Sequence, residues 1–144
     1  MEYKFRCDCP FTSAIDILGD KWMLVIVKQI LLEGKETFKD FIESEEAIAT
    51  NILSMKLKLL EDLGIISKSK LPNNKKTNIY RLTPKGLQLT PILVELALWS
   101  DNNLREVHSS LQKGDGIDLL RKDKEAFARA LINAYQEKLH DNQG

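Results

Sequence analysis

Residues 48–82 read IATNILSMKLKLLEDLGIISKSKLPNNKKTNIYRL. Leu53, Leu57 and Leu60 stand at i, i+4 and i+7, the spacing of one buried helix stripe, which predicts a helix from about Ala49 to Asp62. Thr50, Asn51, Ser54, Lys58 and Glu61 fall on its other faces, and a second apolar row, Ile52, Met55 and Leu59, either packs as well or meets thymine methyl groups. Gly64 suits the left-handed turn after a helix. From Ile65 to Leu71 apolar residues give way to alternating serine and lysine, a strand pattern, and Ile79 to Leu82 resume a strand. Pro72 to Asn78 between them predict a turn with a long polar tip. Helix, stop, strand, basic turn, strand is the order of a winged helix.

Outward toward the N-terminus, Gly34 closes a helix that Asp20 caps and that Trp22, Leu24, Val25, Ile26, Val27, Ile30 and Leu31 make apolar around most of its circumference, hence central. Before it, Cys9 caps a helix opened by Pro10, with Ala14, Ile15, Ile17 and Leu18 as its apolar set and Gly19 as its end. Thr37 caps a short helix, Phe38 to Ile42, and the acidic link Glu43 to Glu46 follows. Toward the C-terminus, Thr83-Pro84 starts a helix expected to run to about Val107, kinked at Pro91. A break near Gly114 and Gly116 precedes a last helix, roughly Asp118 to Leu139, with Leu119, Leu120, Phe127, Ala130, Leu131 and Ala134 on its apolar side. The fold class is therefore mainly α with a small β-hairpin: a winged helix-turn-helix domain over residues 9–107 plus long C-terminal dimerisation helices, the last over 114–140.

The 144 residues carry 21 Lys and Arg against 21 Asp and Glu, a neutral balance that argues weakly against nucleic acid. The charge is sorted, however. Between Thr50 and Val94 eight bases (Lys56, Lys58, Lys68, Lys70, Lys75, Lys76, Arg81, Lys85) face two acids (Glu61, Asp62), while residues 33–49 are net −4. Such a dipolar chain can steer one face onto phosphate. The longest apolar run, Trp22 to Val27, is too short to cross a bilayer and Met1 to Cys9 has no apolar signal core, so no membrane and a cytoplasmic location are expected. His108 and His140 are the only histidines, and no phosphate loop, metal-ligand cluster or nucleophile elbow is present; an enzyme, a metal and a cofactor are not expected.

A helix entering the major groove needs small or hydrogen-bonding side chains at its tip, and Thr50, Asn51 and Ser54 meet that need. Lys56 and Lys58, and Lys75 and Lys76 at the wing tip, can reach phosphates, and Thr37 offers a helix N-terminus to a phosphate oxygen. The alternative is a solvated lysine face with Thr37 only a cap. At a helix N-terminus the Cys9 thiolate is stabilised by free amides, which makes it a candidate sensor for an oxidant or electrophile, or else a semi-buried structural cysteine. Cys7 is a candidate partner, although a ring closed over one residue is strained and an intersubunit disulfide is the alternative. Leu93, Leu96 and Trp99, with Phe127 and Leu131 on the last helix, are candidate dimerisation residues, unless the last helix folds back on its own subunit. The competing reading is a winged-helix protein-interaction module that never touches DNA.

Several of these motifs occur together in one family. Cys9-Pro10, Gly19-Asp20-Lys21-Trp22, Phe38-Lys39-Asp40-Phe41, Leu60-Glu61 with Gly64-Ile65-Ile66, and Tyr80-Arg81-Leu82-Thr83-Pro84-Lys85-Gly86, then Pro91 and Trp99, resemble the HxlR-type transcriptional regulators of the MarR-like winged-helix group. The resemblance covers about Cys9 to Val107. It implies a homodimer on a palindromic promoter site, with the helix near Thr50 in the major groove of double-stranded DNA and the wing beside it, and a cysteine at the position of Cys9 that responds to electrophiles or oxidants. Family members often carry serine near Ala49 and a base near Asn51, and this chain has neither. Asparagine pairs with adenine, so an operator shifted from G toward A is expected.

Overall fold

A computed structural model describes residues 3–111 and 115–143. The chain divides after Gly86 into two compact units. The first unit contains α1 (Pro10–Leu18), α2 (Met23–Glu33), α3 (Phe38–Ile42), α4 (Thr50–Asp62), β1 (Ile66–Leu71) and β2 (Asn74–Leu82). α5 (Pro84–Leu87) spans the division, and α6 (Thr90–Asn103), α7 (Asp115–Lys122) and α8 (Lys124–Gln143) follow.

The helix starts follow local chemistry. Cys9 is the N-cap of α1 with Pro10 in its first turn. Asp20 accepts from the Trp22 and Met23 amides at 2.8 Å, so it does cap α2, though the regular helix begins only at Met23. Thr37 and Asp40 form a reciprocal capping box on α3. Gly34 and Gly64 close α2 and follow α4 at φ 66° and 74°, in the left-handed region where a side chain would strain the backbone.

The core of the first unit forms where α2 meets α3, α4 and the hairpin. Met23, Ile26, Val27 and Ile30 of α2 are buried with Phe41, Leu53, Leu57, Leu60, Ile66, Ile79 and Leu82. Each such side chain stabilises the fold by roughly 1.5–3 kcal/mol relative to exposure. Of the second row on α4, Met55 is exposed and Ile52 and Leu59 are half-buried. The Tyr80 amide donates to the Glu36 carbonyl at 2.7 Å, tying β2 to the link before α3. Close packing requires Gly86, because a Cβ there would overlap the Ile65 carbonyl oxygen.

Four expectations need correction. The hairpin has no long tip: β2 already begins at Asn74, leaving Pro72 and Asn73 as the connection. The extra residues are absorbed by a register shift between Lys70 and Leu71: Leu71 pairs with Asn74, whose side chain bonds Thr77 Oγ1 and the Lys76 amide. Pro91 does not kink one long helix. The helix stops at Leu87, and Pro91, having no N–H to lose, sits in the first turn of α6, with the buried Thr90 hydroxyl donating to the Leu87 carbonyl at 2.7 Å. α6 ends at Asn103, short of Val107.

The last helix is two. Asp123 interrupts it by accepting from the Ala126 amide at 3.0 Å, an N-cap for α8. Consequently the buried side carries Leu120, Ala128 and Tyr135, while Leu119, Ala130 and Ala134 are exposed. Gly114 lies outside the described residues, and Gly116 falls within α7. Within the second unit α8 packs on α6, with Leu98, Ile117, Phe127 and Leu131 around Val94, Leu120 and Ala128. Asp101, buried on α6, takes hydrogen bonds from Arg105 and from Arg121 of α7, which fastens α7 to α6.

Candidate nucleic-acid interface

The apolar stripe of α4 faces inward and therefore turns its polar N-terminal residues out. Thr50, Asn51 and Ser54 are all exposed, and the N-cap Ala49 supplies no side-chain bond to the first amides. α3 differs. There the Glu36 and Thr37 amides both bond Asp40 at 3.0 and 3.1 Å, so Thr37 acts as a cap whose hydroxyl hydrogen alone remains to donate. Burial pushes the Asp40 carboxyl up, yet those amides and the Thr37 hydroxyl outweigh it and hold the carboxyl below the usual range.

The eight bases of the segment separate into two groups. Lys56 pairs with Asp20, Arg81 lies 3.9 Å from Glu36, and Lys85 donates to the Leu63 carbonyl at 2.6 Å at the end of α4. Lys56 and Arg81 are half-buried against the protein, while Lys85 stays exposed with its ammonium at that carbonyl. Lys58, Lys68, Lys70, Lys75 and Lys76 are exposed, Lys58 only loosely paired with Asp62 at 3.6 Å and Lys68 with Glu61 at 3.7 Å. The hairpin brings Lys68 and Asn78 to a groove of about 360 Å³ shared with Ser54 and Lys58 of α4. Neither Lys68 nor Asn78 was among the expected contact residues; the serine-lysine alternation of β1 was the signal that both of its faces are solvated.

Cys7 and Cys9 are both exposed free thiols. The Thr12 backbone amide, the Thr12 hydroxyl and the Phe11 amide lower the Cys9 thiol below its ordinary value, more than burial raises it. This is the helix-terminus stabilisation of a thiolate expected from Cys9-Pro10. α1 buries none of its residues, and Phe11 and Ile15 are 81% and 59% exposed. Of the candidate dimerisation residues, Leu96 and Trp99 are 47% and 58% exposed on α6, beside Ile92 along a shallow groove of about 540 Å³. Leu93 is half-buried. Phe127 and Leu131 pack within their own subunit against Val94, Leu120 and Ala128. No described helix is long and apolar enough to cross a membrane.

Comparison with known proteins places this geometry in a family. The model of the HxlR-like helix-turn-helix matches residues 17–108. The chain is 37% identical over 93 residues to the uncharacterized HTH-type transcriptional regulator YvaP of Bacillus subtilis, spanning 64% of this chain and 85% of that one. It is 34% identical over 94 residues to the HTH-type transcriptional regulator YodB of the same organism, covering 65% and 83%. The reduced form of YodB superposes with a TM-score of 0.57 at 33% identity over 67% of this chain and 95% of YodB, and YodB also has diamide-treated and quinone-bound structures. The redox regulator HypR in its reduced form gives a TM-score of 0.61 at 26% identity, covering 70% and 99%. The chain belongs to the HxlR-like helix-turn-helix family of DNA-binding transcriptional regulators.

Proposed function

We propose that the protein is a homodimer that binds a palindromic promoter site in double-stranded DNA, with α4 in the major groove and the β1–β2 hairpin on the adjacent backbone. The observation that carries this reading is the pairing of an outward, uncapped polar helix tip, Thr50, Asn51 and Ser54, with an exposed cationic hairpin, Lys68, Lys70, Lys75 and Lys76. Lys58 completes the phosphate-facing set. The exposed apolar stripe Ile92, Leu96 and Trp99 is the surface assigned to the second copy. Two reading helices then lie about one turn of B-DNA, roughly 34 Å, apart.

Enrichment of random duplexes on the purified protein tests this. The expected product is a palindrome with adenine opposite Asn51. Passage through heparin and random duplex at low salt without retention favours an interaction module instead.

Cys9 is proposed as the switch. Its thiolate attacks a quinone carbon, forming an S–C bond while the ring takes up a proton and becomes a hydroquinone adduct. With diamide it is oxidised to a disulfide with a second thiol as diamide is reduced to the hydrazine. Support comes from the exposed, stabilised thiolate and from relatives solved in redox and quinone-bound forms. A Cys9→Ser protein is expected to hold the enriched duplex unchanged when diamide or a quinone is added, whereas wild type releases it. Release by the variant at the wild-type dose excludes Cys9.

A further inference from the structure

Charged hydrogen bonds tie α4 and the link that enters it to α2 and its cap. Just before α4, the Glu46 carboxylate accepts from Lys28 Nζ at 2.6 Å and from Gln29 Nε2 at 2.7 Å, both on α2. Gln29 is buried, and its amide oxygen has no hydrogen-bond partner among the described residues, so the bond to Glu46 is the polar tie of that side chain. Lys28 also bonds Glu33 at 2.9 Å. Ala47 follows with φ 57°, the left-handed region disfavoured for any residue with a Cβ. The path of this link is therefore imposed by its contacts, not by local preference. In the second turn of α4, Lys56 pairs with Asp20, which also holds the first amides of α2.

These two pins do something the leucines cannot. An apolar stripe is non-directional and tolerates small rotations of a helix about its axis. Charged hydrogen bonds are short and directional. Lys56 ties α4 to the residue that caps α2, and Glu46 ties the link entering α4 to the middle of α2, two directional restraints on the rotation of α4.

We propose that Glu46 and Lys56 are positioning residues for sequence-specific DNA recognition, holding α4 at the rotation that presents Thr50, Asn51 and Ser54 to base edges. This rests on the reading of α4 as the DNA-contacting helix. It also gives Lys56 a different job from the phosphate contact its charge suggested. Burial pushes the Glu46 carboxyl up, but Lys28 and Gln29 outweigh it, so the carboxylate stays charged and the clamp closed at neutral pH.

The test compares affinity for the duplex that wild type enriches from a random library with affinity for a random-sequence duplex of equal length, across a salt series. Lys56→Met and Glu46→Ala are expected to lose about ten- to a hundredfold on the enriched duplex, the discrimination carried by one well-placed base contact. Their affinity for the random duplex and their salt slope stay at wild-type values, and Lys56→Arg, which keeps the charge opposite Asp20, retains specific binding. Should Lys56→Met weaken both duplexes and flatten the salt slope by about one per bound subunit, Lys56 is a phosphate ligand and the proposal is overturned. Unchanged affinity for the enriched duplex overturns it equally. If circular dichroism shows Glu46→Ala unfolded, Lys56→Met decides alone, because Asp20 keeps its bonds to the α2 amides. Failure of wild type to enrich any duplex sinks the DNA reading of α4 itself, and this proposal with it.

Discussion

Replacing Lys75 and Lys76 with glutamate is expected to lower affinity for duplex DNA by about a hundredfold at low salt, because repelled like charges replace attracted opposite ones. Both lysines are exposed where β2 begins, in the irregular stretch of the hairpin. Phosphate contacts carry no base identity, so the enriched and the random duplex should weaken by the same factor. Each lost contact releases about one counterion fewer, so the salt slope should flatten by about two per bound hairpin. Fluorescence anisotropy over a salt series measures both quantities. A slope that stays at the wild-type value removes the hairpin from the interface. A loss confined to the enriched duplex would give these lysines a base-reading role.

Phe41→Ala is expected to destabilise the first unit by about 3–5 kcal/mol. Phe41 is fully buried on α3, its ring 6.3 Å from that of Tyr80 on β2 at an angle of 62°. Truncation removes the apolar contact and leaves a cavity between the short helix and the hairpin, which the surrounding backbone cannot collapse to fill. At about 4–8 °C per kcal/mol for a unit of this size, the thermal midpoint should fall by at least about 12 °C. Thermal circular dichroism checks this. The neighbouring Phe38→Ala serves as control, since Phe38 is partly exposed and its loss should move the midpoint little. Equal shifts for the two variants would mean that Phe41 is not a core residue.

Where a residue's effect is local, the chain is legible. Cys9-Pro10, Thr37 with Asp40, and Gly64 act on amides and dihedral angles within a few positions, so the boundaries of α1, α3 and α4 follow from the residues themselves. Leu53, Leu57 and Leu60 likewise announce their buried face. The errors have their own local causes. Pro91 suits a first turn as well as a kink, and Asp123 is an N-cap signal hidden in a charged stretch. In the hairpin, Asn74 pairs with Leu71 while its side chain bonds the Lys76 amide, so a polar run can be strand.

The sequence by itself determined the winged-helix order, the buried stripe of the reading helix and the concentration of positive charge around the hairpin. These depend on periodicity and on residue type, which are properties of the chain alone. Only the tertiary structure decided which of those charges face solvent. Lys56 and Arg81 are half-buried against Asp20 and Glu36, partners 36 and 45 residues away in the chain, whereas Lys70, Lys75 and Lys76 remain exposed. A lysine's charge is fixed by its chemistry. Its availability depends on which distant carboxylate or carbonyl the packing brings within reach, and no periodicity records that.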